Sequence, residues 1–222
     1  MVTLETIKAR HSVRAFNDRK IEADAAERLR SVIDRCNKEG GLHIQLCLDD
    51  PKAFEGFMAH VGKFSNVQNY IALIGKESKE LEEKIGYYGE KIVLEATDLG
   101  LGSCGVAKTY SKGKCVCTLE KDEKLVCVIA LGYFDHGGVP RKTKSVEELS
   151  RVKGEMPDWF RKGMEAAQLA PTAMNEQRFH ISLDGDIVTA KPGIGLDTKV
   201  DLGIVKCHFE LGAGEANWKW AT

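Results

Sequence analysis

The run Ser78–Leu99 constrains the fold more than any other stretch. Leu81, Ile85, Tyr88, Ile92, Glu95 and Leu99 mark one strip of a helix, and Val93, Leu94 and Ala96 widen it. A helix apolar over so much of its girth belongs inside a fold, covered on several sides. Two segments can cover it. Tyr70–Gly75 and Leu125–Gly132 are short, continuous apolar runs of the length of buried strands. Gly100-Leu101-Gly102-Ser103-Cys104-Gly105-Val106 closes the helix and reads as a glycine cap with a flexible loop.

The remaining segments fill in an α+β chain. Thr3–Arg10 reads as a short helix with Thr3 as N-cap and Thr6 too early to complete a capping box. Glu22–Lys38 carries Ala26, Leu29, Val32, Ile33 and Cys36 at helical spacing, and Gly40-Gly41 ends it. Leu42–Leu48 alternates as a strand with one buried face, and Asp49-Asp50-Pro51 is a turn. In Lys52–Asn66, Phe54, Phe57, Met58 and Val61 could line one helix face, with Gly56 and Gly62 against it. Pro157–Ala170 is a helix and Phe179–Leu183 a strand. Val200–Gly214 echoes Tyr88–Gly102, with Gly203 and Gly214 standing where Gly89 and Gly100 stand.

Composition excludes several classes. Hydrophobic residues make up 43% of the 222 and charged residues 29%, as in a soluble globular protein. A formal net charge of −1 gives no electrostatic reason to bind nucleic acid or an anionic membrane. No apolar run reaches the ~20 residues that span a bilayer. Met1-Val2-Thr3-Leu4-Glu5 lacks the form of a signal peptide, and seven scattered cysteines fit reduced thiols in the cytoplasm. A cysteine metal or redox site would draw on Cys104, Cys115, Cys117 and Cys127. The single-residue gap of Cys115-x-Cys117 is a poor match to zinc spacing, and the six histidines form no cluster. Neither a Ser-His-Asp arrangement nor a Gly-x₄-Gly-Lys phosphate loop is present.

Two polar motifs carry the chemistry. Arg10-His11-Ser12-Val13-Arg14 places two guanidiniums and a hydroxyl within five residues, which suits a phosphate and equally suits a solvated basic helix end. Ala166–Gln177 runs from a helix end, stopped by Pro171, into a loop presenting Thr172, Asn175 and Gln177 before the strand at Phe179. Together, Arg-x-Ser-x-Arg and Ala-Pro-Thr-x-x-Asn-x-Gln resemble the nitroreductase family of FMN-dependent oxidoreductases. Gly-Leu-Gly-Ser at the end of the central helix is the third point of resemblance, and there glycines let the main chain pass close to a flat ring.

The resemblance implies a nitroreductase-like three-layer sandwich, a mainly antiparallel or mixed sheet flanked by helices. It implies FMN as cofactor, NADH or NADPH as reductant, and a nitroaromatic, quinone or related small molecule as electron acceptor, reduced in ping-pong fashion. The implied flavin contacts are Arg10, His11, Ser12 and Arg14; Ser103, Cys104 and Gly105; Arg141, then Lys142, after the apolar strand; and Pro171, Thr172, Asn175 and Gln177. No protein nucleophile or metal is required. Substrate-shaping segments would be Lys52–Gln68, Lys108–Glu120 or the C-terminus with Trp218 and Trp220.

The chain departs from the family in one respect. The Pro-Ser-x-x-Asn loop usually follows the first long helix and serves the flavin site of a homodimer. Here that early position holds Cys36-Asn37-Lys38-Glu39-Gly40-Gly41, and the loop lies near residue 172. Two fused, pseudo-repeated halves account for this: residues 1–150 bearing the basic motif and glycine turn, and 151–222 bearing the loop. That arrangement implies one flavin per chain bound between halves and a monomer, with a homodimer as the alternative. A protein that stores or senses flavin without turnover would use the same residues, and rapid bleaching of the flavin by NAD(P)H separates the two.

Overall fold

The computed structural model describes residues 2–138 and 142–221. These residues divide into two compact units that alternate along the chain. The first holds residues 9–81 and 91–138, the second 2–8, 82–90 and 142–221. The class is α+β, as the patterning implied.

The first unit is built on a four-stranded antiparallel sheet in the order β1 (Gln45–Cys47), β2 (Asn69–Lys76), β4 (Glu123–Gly132), β3 (Gly102–Val106). The two apolar runs singled out from the sequence are the central pair, β2 and β4. Tyr70, Ala72, Ile74, Val128 and Ala130 from these strands pack with Phe54, Phe64 and Tyr110 in one core. The Tyr70 hydroxyl is buried there without loss, because it donates to Asp50 Oδ2 at 2.7 Å and accepts from Val116 N at 2.9 Å. Helix α2 (Ala23–Gly40) ends where Gly41 adopts a φ of 62°. Asn37 then binds both backbone groups of Ile44, accepting from its N at 2.7 Å and donating to its O at 2.9 Å. That capture interrupts the strand expected over Leu42–Leu48. Leu42 makes only an isolated bridge to Gly75, and regular pairing begins at Gln45.

Two further expectations change in this unit. The segment after the central helix is strand β3, not a loop, because Gly102–Val106 pairs residue for residue with Val128–Gly132. Lys52–Asn66 is a 3₁₀ turn (Pro51–Phe54) followed by the short helix α3 (Phe57–Val61). Only Phe54 of the four apolar residues there is buried; Phe57, Met58 and Val61 are exposed.

The second unit has its own sheet, in the order β5 (Ser150–Val152), β6 (Phe179–Asp184), β7 (Ile187–Pro192), β8 (Lys219–Trp220). Its outer pairs are parallel and its middle pair is a hairpin turned by Gly185-Asp186, with Gly185 at a φ of 63°. The short helix α5 (Val146–Leu149) and helices α6 (Asp158–Ala167) and α7 (Thr198–Ala213) cover an aromatic core in which Phe160, Phe209, Trp218 and Trp220 meet edge to face. The capping pair in α1 (Leu4–Ala9) corrects the reading of Thr6. Thr6 Oγ1 accepts from Thr3 N at 3.2 Å and Thr3 Oγ1 accepts from Thr6 N at 3.4 Å, so the cap is reciprocal.

The long apolar helix is α4 (Leu81–Asp98). Its residues 82–90 lie in the second unit, against α7, at a crossing made by two glycines. A Cβ on Gly86 would sit 1.9 Å from Val200 O, and one on Gly203 would sit 1.9 Å from Glu83 O. The close approach buries His208, which bridges three helices through Glu90 Oε1 (2.7 Å) and Ala166 O (3.1 Å).

Candidate functional site

The basic motif is held as an extended segment between two backbones of the first unit. On one side Ser12 bridges Ser103, and Val13 N donates to Ser103 O at 2.9 Å. On the other side Ser65 N donates to Arg14 O at 2.9 Å, and Phe16 N donates to Ser65 O at 3.2 Å. This alternation sends Val13 and Phe16 into the core. Glycine is required where the motif meets β3. A Cβ on Gly102 would lie 2.8 Å from Val13 Cγ2 and 2.6 Å from Phe134 Cδ1. Gly138, near the end of the segment that follows β4, lies against His11, where a Cβ would be 2.8 Å from the His11 Cβ.

The result is a cluster of cationic and hydroxyl donors around the start of β3. Arg10 is buried, and Arg14 is exposed with its guanidinium 5.9 Å from the centre of the Phe64 ring. Both charges reach Cys104. Burial pushes the Cys104 thiol up, and Arg14, Arg10 and a hydrogen bond with Ser12 each pull it part of the way down. Gly105 is the exposed position of an otherwise buried strand, with open space where a Cβ would be. His11 turns Nδ1 toward Ala9 O at 2.6 Å, so this nitrogen is spent within the motif.

The second polar motif lies in the second unit. Helix α6 ends at Ala167, short of the Pro171 expected to stop it, and tighter bonds from Leu169 N to Ala166 O (3.0 Å) and Ala170 N to Ala167 O (3.1 Å) carry the chain to Pro171; Thr172, a 3₁₀ turn (Ala173–Asn175), Glu176 and Gln177 follow. Met174, Asn175 and Gln177 have φ values of 51°, 56° and 49°. Three non-glycine residues in the left-handed region within four positions store strain that the surroundings must hold. Thr172 Oγ1 accepts from Gln177 N at 3.0 Å. The Gln177 amide, 2% exposed, accepts from Lys144 N at 2.7 Å and donates to Gln168 O at 3.0 Å. Gln168 Nε2 in turn donates to Lys144 O at 2.6 Å. Asn175 Nδ2 donates to Lys142 O at 2.8 Å. Beneath the loop, Ala173 N donates to both carboxylate oxygens of Asp201, at 2.9 and 3.1 Å.

The structure therefore gathers Arg10, His11, Ser12, Arg14, Ser103, Cys104 and Gly105 in one place and Lys142, Pro171, Thr172, Asn175 and Gln177 in another. Arg141 lies outside the described residues. Of the loop residues, Gln177 has both ends of its amide engaged in holding the loop. Thr172 keeps a hydroxyl hydrogen to donate, and Asn175 keeps its carbonyl oxygen as an acceptor. Sequence reasoning missed Phe64, Lys144, Gln168 and Asp201. The one legible signal was Asp201, a carboxylate inside the apolar run Val200–Val205. Cys36–Gly41, the early position where the family loop was sought, is the end of α2 and its left-handed cap. Among the described residues no group of three or more His, Cys, Asp or Glu could hold a metal ion, and no helix is long and apolar enough to cross a membrane.

The family model described as "Putative TM nitroreductase" matches residues 2–213, and the chain belongs to this family. A Thermotoga maritima structure described as a "putative nitroreductase" is 23% identical, with a TM-score of 0.67 over 96% of this chain and 83% of its own. One from Desulfovibrio desulfuricans, described as a "putative nitroreductase in complex with FMN", is 16% identical, with a TM-score of 0.55 over 69% of this chain and 97% of its own. A Parabacteroides distasonis structure named "Putative NADH dehydrogenase/NAD(P)H nitroreductase" is 21% identical, with a TM-score of 0.51 over 66% of this chain and 95% of its own. No curated protein matches the chain. At these identities the likeness establishes the α+β fold of the nitroreductases.

Proposed function

Starting from membership of this nitroreductase family, we propose that the chain is an FMN-dependent, NAD(P)H-consuming oxidoreductase of small flat acceptors such as nitroaromatics or quinones. The observation that carries the reading is the convergence of Arg10, Ser12 and Arg14 on Ser103–Cys104. Two guanidiniums and a hydroxyl, held by backbone pairing on both sides, form a donor set suited to a phosphate monoester. The open flank of Gly105 leaves β3 backbone accessible to a planar group. Bound FMN supplies the two-electron chemistry. The chain's part is to neutralise the phosphate with Arg10 and Arg14 and to bond the ribityl chain with Ser12. The seven cysteines, all free thiols in the structure, support a location in the cytoplasm.

The test is a titration of the purified protein with FMN, followed by desalting and an absorbance spectrum. We expect one FMN per chain, retained with its band near ~450 nm, and loss of that band when NADH or NADPH is added without oxygen. Arg14→Glu should weaken FMN binding at least tenfold (about 1.4 kcal/mol). Stability should move by no more than about 0.5 kcal/mol, since Arg14 is exposed. Unchanged affinity in that variant overturns the phosphate assignment. Retained flavin that neither nucleotide bleaches would make this a flavin-binding protein and overturn the reductase reading.

A further inference from the structure

The loop Thr172–Gln177 should not hold its shape unaided. Met174, Asn175 and Gln177 all sit in the left-handed region, and Met174 is 93% exposed with no packing to fix it. Each such residue costs about 1–3 kcal/mol unless its surroundings compensate. Most of the bonds in the loop are neutral ones, from Thr172, Gln177 and the backbone. One is different. Asp201 in α7 is 5% exposed and takes the Ala173 N–H between its two oxygens. Ala173 stands immediately before the three left-handed positions and immediately after Thr172. We propose that Asp201 is a positioning residue whose ionised carboxylate clamps the Thr172–Gln177 loop in its strained conformation.

The surroundings make the clamp sensitive to protonation. Burial first, then the negative charges of Asp197 and Glu176, push the Asp201 carboxyl up to about 7, and the Ala173 N–H pulls it part of the way back. Asp197 precedes the first turn of α7, and Glu176 belongs to the loop. Glu176 is itself paired with Arg178 at 2.8 Å, and Lys144 Nζ donates to its backbone oxygen at 2.9 Å. Protonation leaves Asp201 with a neutral acceptor in place of a charged one, and charge-assisted hydrogen bonds are roughly twice as strong. Asp201→Asn reproduces the neutral form at every pH.

Hydrogen exchange of the 172–177 backbone in flavin-free protein tests the clamp directly. An opening that breaks the Ala173 bond while Asp201 stays buried on α7 removes the N–H that holds the carboxyl down, so the opened loop has the higher pKa, the reverse of global unfolding, which also removes the burial. Corrected for intrinsic rates, wild-type protection should therefore increase as pH rises through 7, whereas Asp201→Asn should be less protected and pH-independent. Equal protection in the two proteins above pH 7 overturns the clamp. If Asp201→Asn does not fold, the wild-type pH series decides alone: protection that is flat across pH 7 refutes the proposal.

Discussion

Replacing Gly203 by alanine gives a test in which two physical effects predict opposite signs. In a helix interior alanine is favoured over glycine by about 1 kcal/mol, so propensity alone predicts a more stable protein. The crossing of α4 and α7 predicts the reverse. The new Cβ would lie 1.9 Å from Glu83 O and 2.6 Å from Tyr87 N, whereas ordinary contact begins at 3.4 Å. Both obstacles are backbone, so no rotamer change can clear them, and the helices must part by roughly 1.5 Å. Forced separation of packed elements costs about 1–3 kcal/mol. It also lengthens the 2.7 Å bond between His208 and Glu90, both within 3% of full burial, at a further cost of about 1–3 kcal/mol. After the propensity gain, the expected loss is about 1–5 kcal/mol. In a chain of 222 residues that corresponds to a fall in melting temperature of roughly 2–20 °C. Urea and thermal unfolding followed by tryptophan fluorescence would read it, since Trp159, Trp218 and Trp220 all lie in the same unit as the crossing. Gly113→Ala, with nothing within 4 Å of the new atom, serves as the neutral control. A Gly203→Ala protein more stable than wild type would show that the helices do not meet at this distance.

Three other outcomes follow from the structure. Asp201 has a carboxyl held at about 7 in the folded protein against 3.8 when free, so the folded state binds a proton that the unfolded chain has released. Its contribution is favourable at low pH and becomes a cost of about 4 kcal/mol as pH rises through that window; Asp201→Asn should therefore show a shallower loss of stability from pH 4 to 7, and parallel curves in urea would refute the assignment. Gln177→Ala strands the Lys144 N–H and the Gln168 carbonyl that its buried amide serves, so it should lose about 2–3 kcal/mol, read as a lower urea midpoint, and an unchanged midpoint would place that amide in solvent. Gly102→Ala pushes Val13, and with it the Arg10–Arg14 segment, away from β3; FMN affinity measured by fluorescence quenching should fall severalfold at a stability loss of about 1–2 kcal/mol, and full affinity would show that the spacing is not needed.

How much of this could be read in the sequence follows from the range of each interaction. The central strands and the long helices were legible because continuous apolar runs and 3.6-residue periodicity are local properties. The hairpin of β6 and β7 carried a legible Gly185-Asp186 signal that the reading passed over, since Ile187–Pro192 is too polar to look like a buried strand. The truncation of β1 was not legible, because it depends on where the Asn37 amide reaches. The same divide runs through the site. Arg10, Ser12 and Arg14 are a contiguous motif and show themselves; Phe64, Gln168 and Asp201 act across the fold, from positions with no spacing rule to connect them.

The glycines show that equivalent positions in a sequence repeat need not do the same work. Gly100 and Gly214, matched in the sequence, do share a role: each follows the end of its helix at a positive φ, 76° and 63°. Gly203, the counterpart of Gly89 in that repeat, meets α4 near Gly86, one turn before Gly89. Spacing from the cap fixes only height along a helix, while contact with a second helix depends on which face is presented, and three residues return to nearly the same face. Gly89 and Gly86 therefore lie on the same side of α4, and only the tertiary structure selects between them. Gly86→Ala is the direct check: its Cβ would press on Val200 O at 1.9 Å, so the urea midpoint should fall, and an unchanged midpoint would show that the helices do not meet at this glycine.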